Sequence, residues 1–534
     1  MKGRNPACCV RARAASGEGR LGRLSETDEV EAYLDDAAHY PGGTTEEVFL
    51  PGDEAAVAGL LKSDRPLLAV GAQSSLTGGA TPRADSVISM TRMDAVGPWL
   101  PGSVKVEAGV VLAPFEAQLK TRGLYYPPAP TFDGATVGGT VATDAAGAAT
   151  FKHGTTRHWV RGLTVVVAGG DVLDLRRGQV RASPEGHFEI AMTNGSKREV
   201  EIPGYEMPAV PKHSAGYWAE PGMDLVDLFI GSEGTLGVVT EIELGLIGER
   251  PAWFTALVPV ADDAAAVALV ASLRESSMET WAGGRGADVA AVEYIDRRSI
   301  ELLEEDGAMA ALALDASVGA LLLIQAELTP DFSGEEAARQ LASFEDLSLE
   351  APLAVLARIL AEHKVLEATV AALPGEEGRR KEMFALREAL PEGVNRRVGE
   401  AQRNIDAAIS KSGGDVIVPF ASFERALGDY RAILDEAGLD HAVWGHISDG
   451  NIHPNILARS GREMESARAA QLAIGQRAIE MGGSPMSEHG TGRNPVKREL
   501  LVRLYGEEGV EAMRRVKRAL DPQGLLARAV MFDP

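Results

Sequence analysis

Apolar positions change their spacing midway along the chain. From residue 48 to residue 247 they fall in short runs broken by Gly and Pro, the pattern of strands and turns rather than long helices. Residues 66–71 (PLLAVG) predict a strand entering a glycine loop, and residues 86–90 and 238–244 predict two more. Residues 163–175 predict a hairpin turning at Gly169 and Gly170, with Thr164, Val166 and Ala168 alternating on one face. Beyond Pro251 the period lengthens to that of amphipathic helices, over 261–275 and 335–343, alternating with strands such as 320–327. An apolar helix is expected over 351–373, and a last one over 507–520, stopped by Asp521 and Pro522. The result is an α+β chain: an extension over 1–45, a strand-rich domain over 46–247, an α/β domain over 248–483, and a C-terminal helical segment over 484–534 that returns to the first domain. No internal repeat is found.

With 534 residues the chain exceeds a single ~150-residue domain and excludes a small binding module. A net charge of −24 argues against nucleic acid as a partner. Cys8 and Cys9 are the only cysteines, so disulfide frameworks and cysteine-ligated iron–sulfur clusters are excluded. Redox chemistry would need an organic cofactor. The apolar stretch at 351–373 contains Arg358, Glu362, His363, Lys364 and Glu367, which excludes a membrane span. Residues 1–23 are basic but have no apolar core of a secretory signal. They are expected to be disordered, ahead of a cytoplasmic protein that could still be peripheral at the membrane through its electron acceptor.

Glycine loops supply the first candidate chemistry. Residues 71–79 (GAQSSLTGG) follow a strand and offer backbone N–H groups and hydroxyls suited to a pyrophosphate, but match neither GxGxxG nor GxxxxGK[ST]. Residues 126–139 (YPPAPTFDGATVGG), 143–147 (TDAAG) and 228–240 (LFIGSEGTLGVVT) add loops able to crowd round a large, flat ligand with polar edges, such as a flavin dinucleotide.

The stretch 444–456 (WGHISDGNIHPNI) points to a metal site. If Asp449 and Gly450 form a two-residue turn, His446 faces His453 and Trp444 faces Asn455, so both imidazoles could reach one ion. Residues 487–492 (SEHGTG) bring Glu488 beside His489, completing a His₂Glu set of a kind known in catalytic metal centres.

In order, PxxxxGxxSSLxGG, PPxPT…ATVGGxxAT, KHGTTR and GSEGTLGVVTE resemble the vanillyl-alcohol-oxidase type of FAD domain, from about residue 46 onward. HxxDGNxHxN with SEHGxG resembles its metal-dependent 2-hydroxyacid dehydrogenase branch, which covers D-lactate, D-2-hydroxyglutarate and glycolate-type enzymes. The resemblance implies a two-subdomain FAD domain followed by a substrate (cap) domain. It assigns FAD to Gly71, Ala72, Gln73, Ser74, Ser75, Gly78, Gly79, Pro130, Thr131, Gly138, Gly139, Thr143, Gly147 and Gly237. Because residues 71–79 hold no histidine, the FAD is expected to be non-covalent.

By the same resemblance His446, His453 and Glu488 bind a divalent metal, zinc before manganese or iron, and His489 is the base. Asn455, Arg387 and Lys411 match substrate-contacting positions. The implied reaction is oxidation of a 2-hydroxy acid, of D configuration, to the 2-oxo acid. The electrons would pass to an external acceptor such as a quinone, a cytochrome or an electron-transfer flavoprotein, and a homodimer is compatible with this reading. Alternatives are an ether-lipid (alkylglycerone-phosphate) synthase-like flavoenzyme, or the flavin-binding subunit of a larger glycolate-oxidase-type complex.

Overall fold

The structure, a computed structural model, describes residues 8–128, 132–309 and 317–533. It mixes helix and sheet, as the apolar spacing predicts. In the N-terminal half, one sheet orders the strands Leu21–Leu24, Val48–Pro51, Ser86–Ser89 and Leu67–Val70. A second, antiparallel sheet orders Val172–Arg176, Val160–Val166, Val238–Gly245, Ser103–Glu107 and Val96–Leu100. The hairpin expected over 163–175 forms here, with Val166 opposite Val172 and positive φ at Gly169 and Gly170.

The strands Val370–Ala372, Ala252–Val260, Ala320–Leu328, Val289–Asp296, His441–His446, Asn451–Ile456 and Ser412–Gly413 build a larger sheet, in that order, in the second half. The helices Asp263–Trp281 and Phe423–Glu436 cover one face through Val292, Tyr294, Leu269 and Phe423. Glu377–Asn404 covers the other, where Met383, Leu386 and Leu390 meet Leu257, Ile295, Leu323 and Trp444. The C-terminal helical stretch Pro495–Leu520, two helices broken at Gly506 (φ 70°), joins the first half's core instead: Leu501, Met513 and Val516 pack in the cluster that holds Val70, Val165 and Leu228.

Two expectations fail. Residues 8–24 are ordered, because Cys9–Arg11 pairs with His187–Ala191 and Leu21–Leu24 with Val48–Pro51. Their positive charge is matched rather than solvated: Arg13 bridges Glu54 at 2.6 Å and Asp174 at 2.5 Å. The helix expected over 351–373 ends at Glu362, because Lys364 takes a φ of 59°, outside the helical range. Val370–Ala372 then pairs at the sheet edge with Ala252–Val260.

Candidate active site

His446 and His453 lie on adjacent antiparallel strands, but not opposite each other. Trp444 faces His453 and Ala442 faces Asn455, so the connection spans Ile447–Gly450 instead of two residues. A two-residue type I′ turn needs positive φ at both central positions, and of Asp449 and Gly450 only the glycine has it. Asp449 is drawn inward instead, 3.0 Å from the buried ammonium of Lys212. The slip is by two residues, which preserves the face. The imidazoles therefore remain neighbours, with ring centroids 5.5 Å apart.

The second half of the cluster comes from 487–490. Adjacent residues of an extended strand point apart, so Glu488 and His489 can serve one site only through a turn. Asp415 makes that turn: its Oδ2 accepts the amides of Ser487, Glu488 and His489 at 3.2, 3.0 and 2.9 Å. Gly490 and Gly492 carry the chain onward at φ of 74° and 57°. Glu233 fastens this stretch to the third glycine loop, accepting the amides of Thr491 at 2.7 Å and Gly492 at 2.8 Å.

Three imidazoles converge on one oxygen. Nε2 of His446 and of His453 each lie 3.3 Å from Glu488 Oε1, and Nε2 of His489 lies 3.7 Å from it. Carboxylates also lie against their Nδ1 atoms: Glu293 at 2.9 Å from His446, and Asp415 at 3.5 Å from His453 and 3.4 Å from His489. Lys212 sits 2.9 Å from Glu488 Oε2. Burial alone would raise the Glu488 carboxyl, but Lys212 and His446 overcome it and hold it well below the usual range. Burial lowers the His489 imidazole to about 4 despite the nearby Asp415, leaving it neutral.

This donor set fits a divalent cation. Imidazole nitrogens and an ionised carboxylate crowd together with carboxylates against the outer ring nitrogens, the arrangement that orients metal ligands. Burial would lower His446, but Glu293 overcomes it and raises it to about 9, so a cation held there would release its proton. Asp415, His453, Glu488 and His489 also offer donor atoms within 4.8 Å of one another. Of these, Asp415 Oδ2 is already committed to three amides.

Arg387 is held at Nε by Glu293 at 2.9 Å, so one buried carboxylate joins it to His446. Asn455 projects from the same strand face as His453 and donates Nδ2 to its carbonyl at 2.8 Å. Lys411 is not brought to this cluster. It lines a small cavity with His39, Asn395, Gly399 and Gln402. Asn395 lies eight residues past Arg387 on one helix, about 12 Å along its axis.

Gly71, Ala72, Gln73, Ser74, Ser75, Gly79, Gly138, Gly139, Thr143 and Gly237 line a cleft of about 290 Å³ together with Glu488 and His489. Gly71 is required by close approach, because a Cβ there would sit 2.1 Å from Thr136 Oγ1. Gly78 packs on Tyr40 and Gly147 donates its amide to Thr150, both outside the cleft lining. Pro130 and Thr131 lie outside the described residues. A wider groove of about 630 Å³ contains none of the glycine loops, and its cations Arg13, Lys105 and Arg176 are already paired.

Residues 254–530 match the family described as FAD linked oxidases, C-terminal domain, and residues 46–176 match an FAD binding domain. The chain belongs to the FAD-linked oxidase family. It is an FAD-linked oxidoreductase of the vanillyl-alcohol-oxidase type expected from the glycine loops. It is 27% identical to glycolate oxidase subunit GlcD of Bacillus subtilis over 80% of this chain and 74% of that one. It is also 27% identical to a D-lactate dehydrogenase of Anaerostipes hadrus, over 90% of this chain and 86% of that one. A D-2-hydroxyglutarate dehydrogenase of Xanthomonas citri is 25% identical, with coverage of 87% and 83%. Among solved structures, an alkyldihydroxyacetonephosphate synthase shares the fold at a TM-score of 0.60, 15% identity, and coverage of 95% and 82%.

Sequence reasoning missed Glu293, Asp415 and Lys212. A lone glutamate inside the apolar run 289–295 was the available signal for Glu293. Asp415, just before the apolar run 416–418, gave a fainter one. Nothing local marks Lys212, whose role depends on contacts with residues 449 and 488.

Proposed function

We propose that this chain oxidises a 2-hydroxy acid, of D configuration, to the 2-oxo acid, with non-covalent FAD in the glycine-lined cleft and a divalent cation, zinc first, at His446, His453 and Glu488. The observation that carries this reading is the convergence of three imidazole Nε2 atoms on Glu488 Oε1 at the edge of that cleft. Once bound, the FAD accepts hydride and the cation polarises the substrate hydroxyl. Arg387, anchored at Nε, keeps its remaining N–H groups for the substrate carboxylate. His489 takes the hydroxyl proton at Nε2: it is neutral, and a proton on Nδ1 facing Asp415 leaves Nε2 as the acceptor. Asn455 donates to the His453 carbonyl and steadies the strand beside that ligand, on the face from which it can contact the substrate.

The test is anaerobic reduction of the bound flavin by D- and L-2-hydroxy acids, before and after chelation, in wild type, His446→Ala and His453→Ala. The variants should stay yellow, lose their metal and fail to bleach with substrate. Full metal occupancy in both variants would overturn the assigned ligands, and a flavin that no 2-hydroxy acid bleaches would overturn the activity. An ether-lipid synthase-like reaction, without net oxidation, is the second reading favoured by the shared fold. Net turnover with an artificial electron acceptor separates the two.

A further inference from the structure

Glu233 takes a left-handed backbone conformation, φ 51°, between Gly231 and Gly234 in the third glycine loop. That conformation strains a residue with a side chain, and such strain persists only where surrounding contacts fix it. The contacts here are two amides of the stretch that follows Glu488 and His489: Oε1 accepts from Thr491 at 2.7 Å and Oε2 from Gly492 at 2.8 Å. The first glycine loop reaches the same stretch. The Thr77 carbonyl accepts the Arg493 amide at 2.9 Å, and Thr77 Oγ1 donates to the His489 carbonyl at 3.4 Å. The junction has no room for further side chains. A Cβ on Gly492 would sit 2.3 Å from the Thr77 carbonyl oxygen, and one on Gly490 would sit 2.9 Å from the Glu233 carboxyl carbon.

Gly79, Glu233, Glu488 and His489 all line the glycine-rich cleft. Glu488 belongs equally to the cation cluster, where its Oε1 meets the three imidazoles. The clasp made by Glu233 begins three residues after it. Burial raises the Glu233 carboxyl to about 7, against the amides of Thr491 and Gly492 and the cations Lys497 and Arg493, which all lower it. Every group that favours its charge therefore comes from residues 491–497, and the carboxylate depends on that segment staying in place.

We propose that Glu233 is a positioning residue that couples two bound groups: FAD in the cleft and the cation at Glu488 each order the clasp between the third glycine loop and residues 488–493, so each binds more tightly when the other is present. This rests on the proposed FAD and metal sites and adds that the protein assembles them as one unit. The first ligand to bind meets the entropy cost of fixing the shared backbone, and the second meets less of it. Such coupling is reciprocal, so FAD must tighten the cation by the same factor as the cation tightens FAD.

Zinc titrations of the flavin-free and FAD-loaded protein, with FAD titrations of the chelated and zinc-loaded protein, measure that factor in both directions. Wild type should show about tenfold tightening each way. Glu233→Gln keeps the size but turns an amino group towards one of two amide N–H donors, so the factor should fall close to one. Glu233→Asp keeps both acceptors on a shorter stem and should recover part of it. Hydrogen exchange needs no variant: FAD alone, added to chelated wild type, should slow exchange at the Thr491 and Gly492 amides. A wild-type factor of one, or exchange at both amides unchanged by FAD, would overturn the coupling. So would a Glu233→Gln protein that binds both ligands more weakly but keeps the wild-type factor, the mark of a merely structural role. The metal assignment fails separately, if zinc binding survives both His446→Ala and His453→Ala.

Discussion

Glu293 serves two partners with one carboxylate. It faces His446 across the sheet, 2.9 Å from Nδ1, while its second oxygen holds Arg387 Nε at 2.9 Å. Burial would raise it, but Arg387 and His446 bring it down to about 2, so it stays ionised at any working pH. Glu293→Gln keeps the volume and removes the charge that orients the imidazole. Divalent metal affinity should fall about 10–100-fold while FAD stays bound, as for other outer partners of metal ligands; titration of the apo-metal protein measures it, and unchanged affinity would show that His446 needs no anionic partner. Lys411 presents the opposite case, a cation with no anion paired to it among the described residues. Burial lowers its amine from 10.5 to about 8. Below pH 8 both folded and unfolded chains bind the proton, and the fold carries the full cost of the buried charge. Between 8 and 10.5 the folded chain releases its proton first, so this group's contribution to stability rises with pH. Lys411→Met should therefore raise the melting midpoint by a few degrees at pH 6–7, since ~1 kcal/mol shifts a domain by about 2–4 °C. That gain should vanish near pH 10.5 in thermal scans across the range, and a gain constant with pH would mean the amine is not destabilised by burial.

Elements were legible where their cause is local. The strand-rich first half, the Gly169–Gly170 hairpin and the end of the last helix at Leu520 follow from turn residues and apolar spacing, all within a few positions of the feature they set. The hairpin of 444–456 was legible in its outcome but not in its register. Alternation fixed that His446 and His453 share a face, whereas the turn was decided by Lys212, more than two hundred residues away, drawing Asp449 inward. The N-terminal strands were missed for a similar reason. Arg13 reads as a solvated charge until Glu54 and Asp174 are brought beside it, and a strand that adds to a sheet edge needs no apolar run of its own. The glycine loops pointed to the cleft they line because backbone approach is written in residue type. The carboxylates behind the histidines left little trace, because Asp415 and Glu293 act only on what the fold delivers to them.

At the scale of the whole molecule, the chemistry depends on registration between two cores. The cleft belongs to the first, together with Glu488 and His489 from the returning C-terminal segment, while His446, His453, Glu293 and Arg387 come from the second. A compact latch joins them. Lys152 reaches Asp288 and Glu327, each at 2.6 Å, and His153 reaches Glu327 at 2.7 Å. Lys152 and His153 belong to the segment following the second glycine loop, whereas Asp288 and Glu327 lie in or beside the large sheet. Glu327→Gln retains acceptors for both partners but removes the charge that draws them together, so each half should stay folded while their alignment loosens. Displacements near 1 Å at a reacting centre cost up to about a hundredfold in rate. The expected phenotype is full FAD and metal content with flavin reduction slowed about 10–100-fold in anaerobic stopped flow, and Lys152→Met should reproduce it. A reduction rate equal to wild type in both variants would show that packing between the two cores aligns the site without the latch, and loss of FAD or metal from either would place the latch among the groups that hold those ligands.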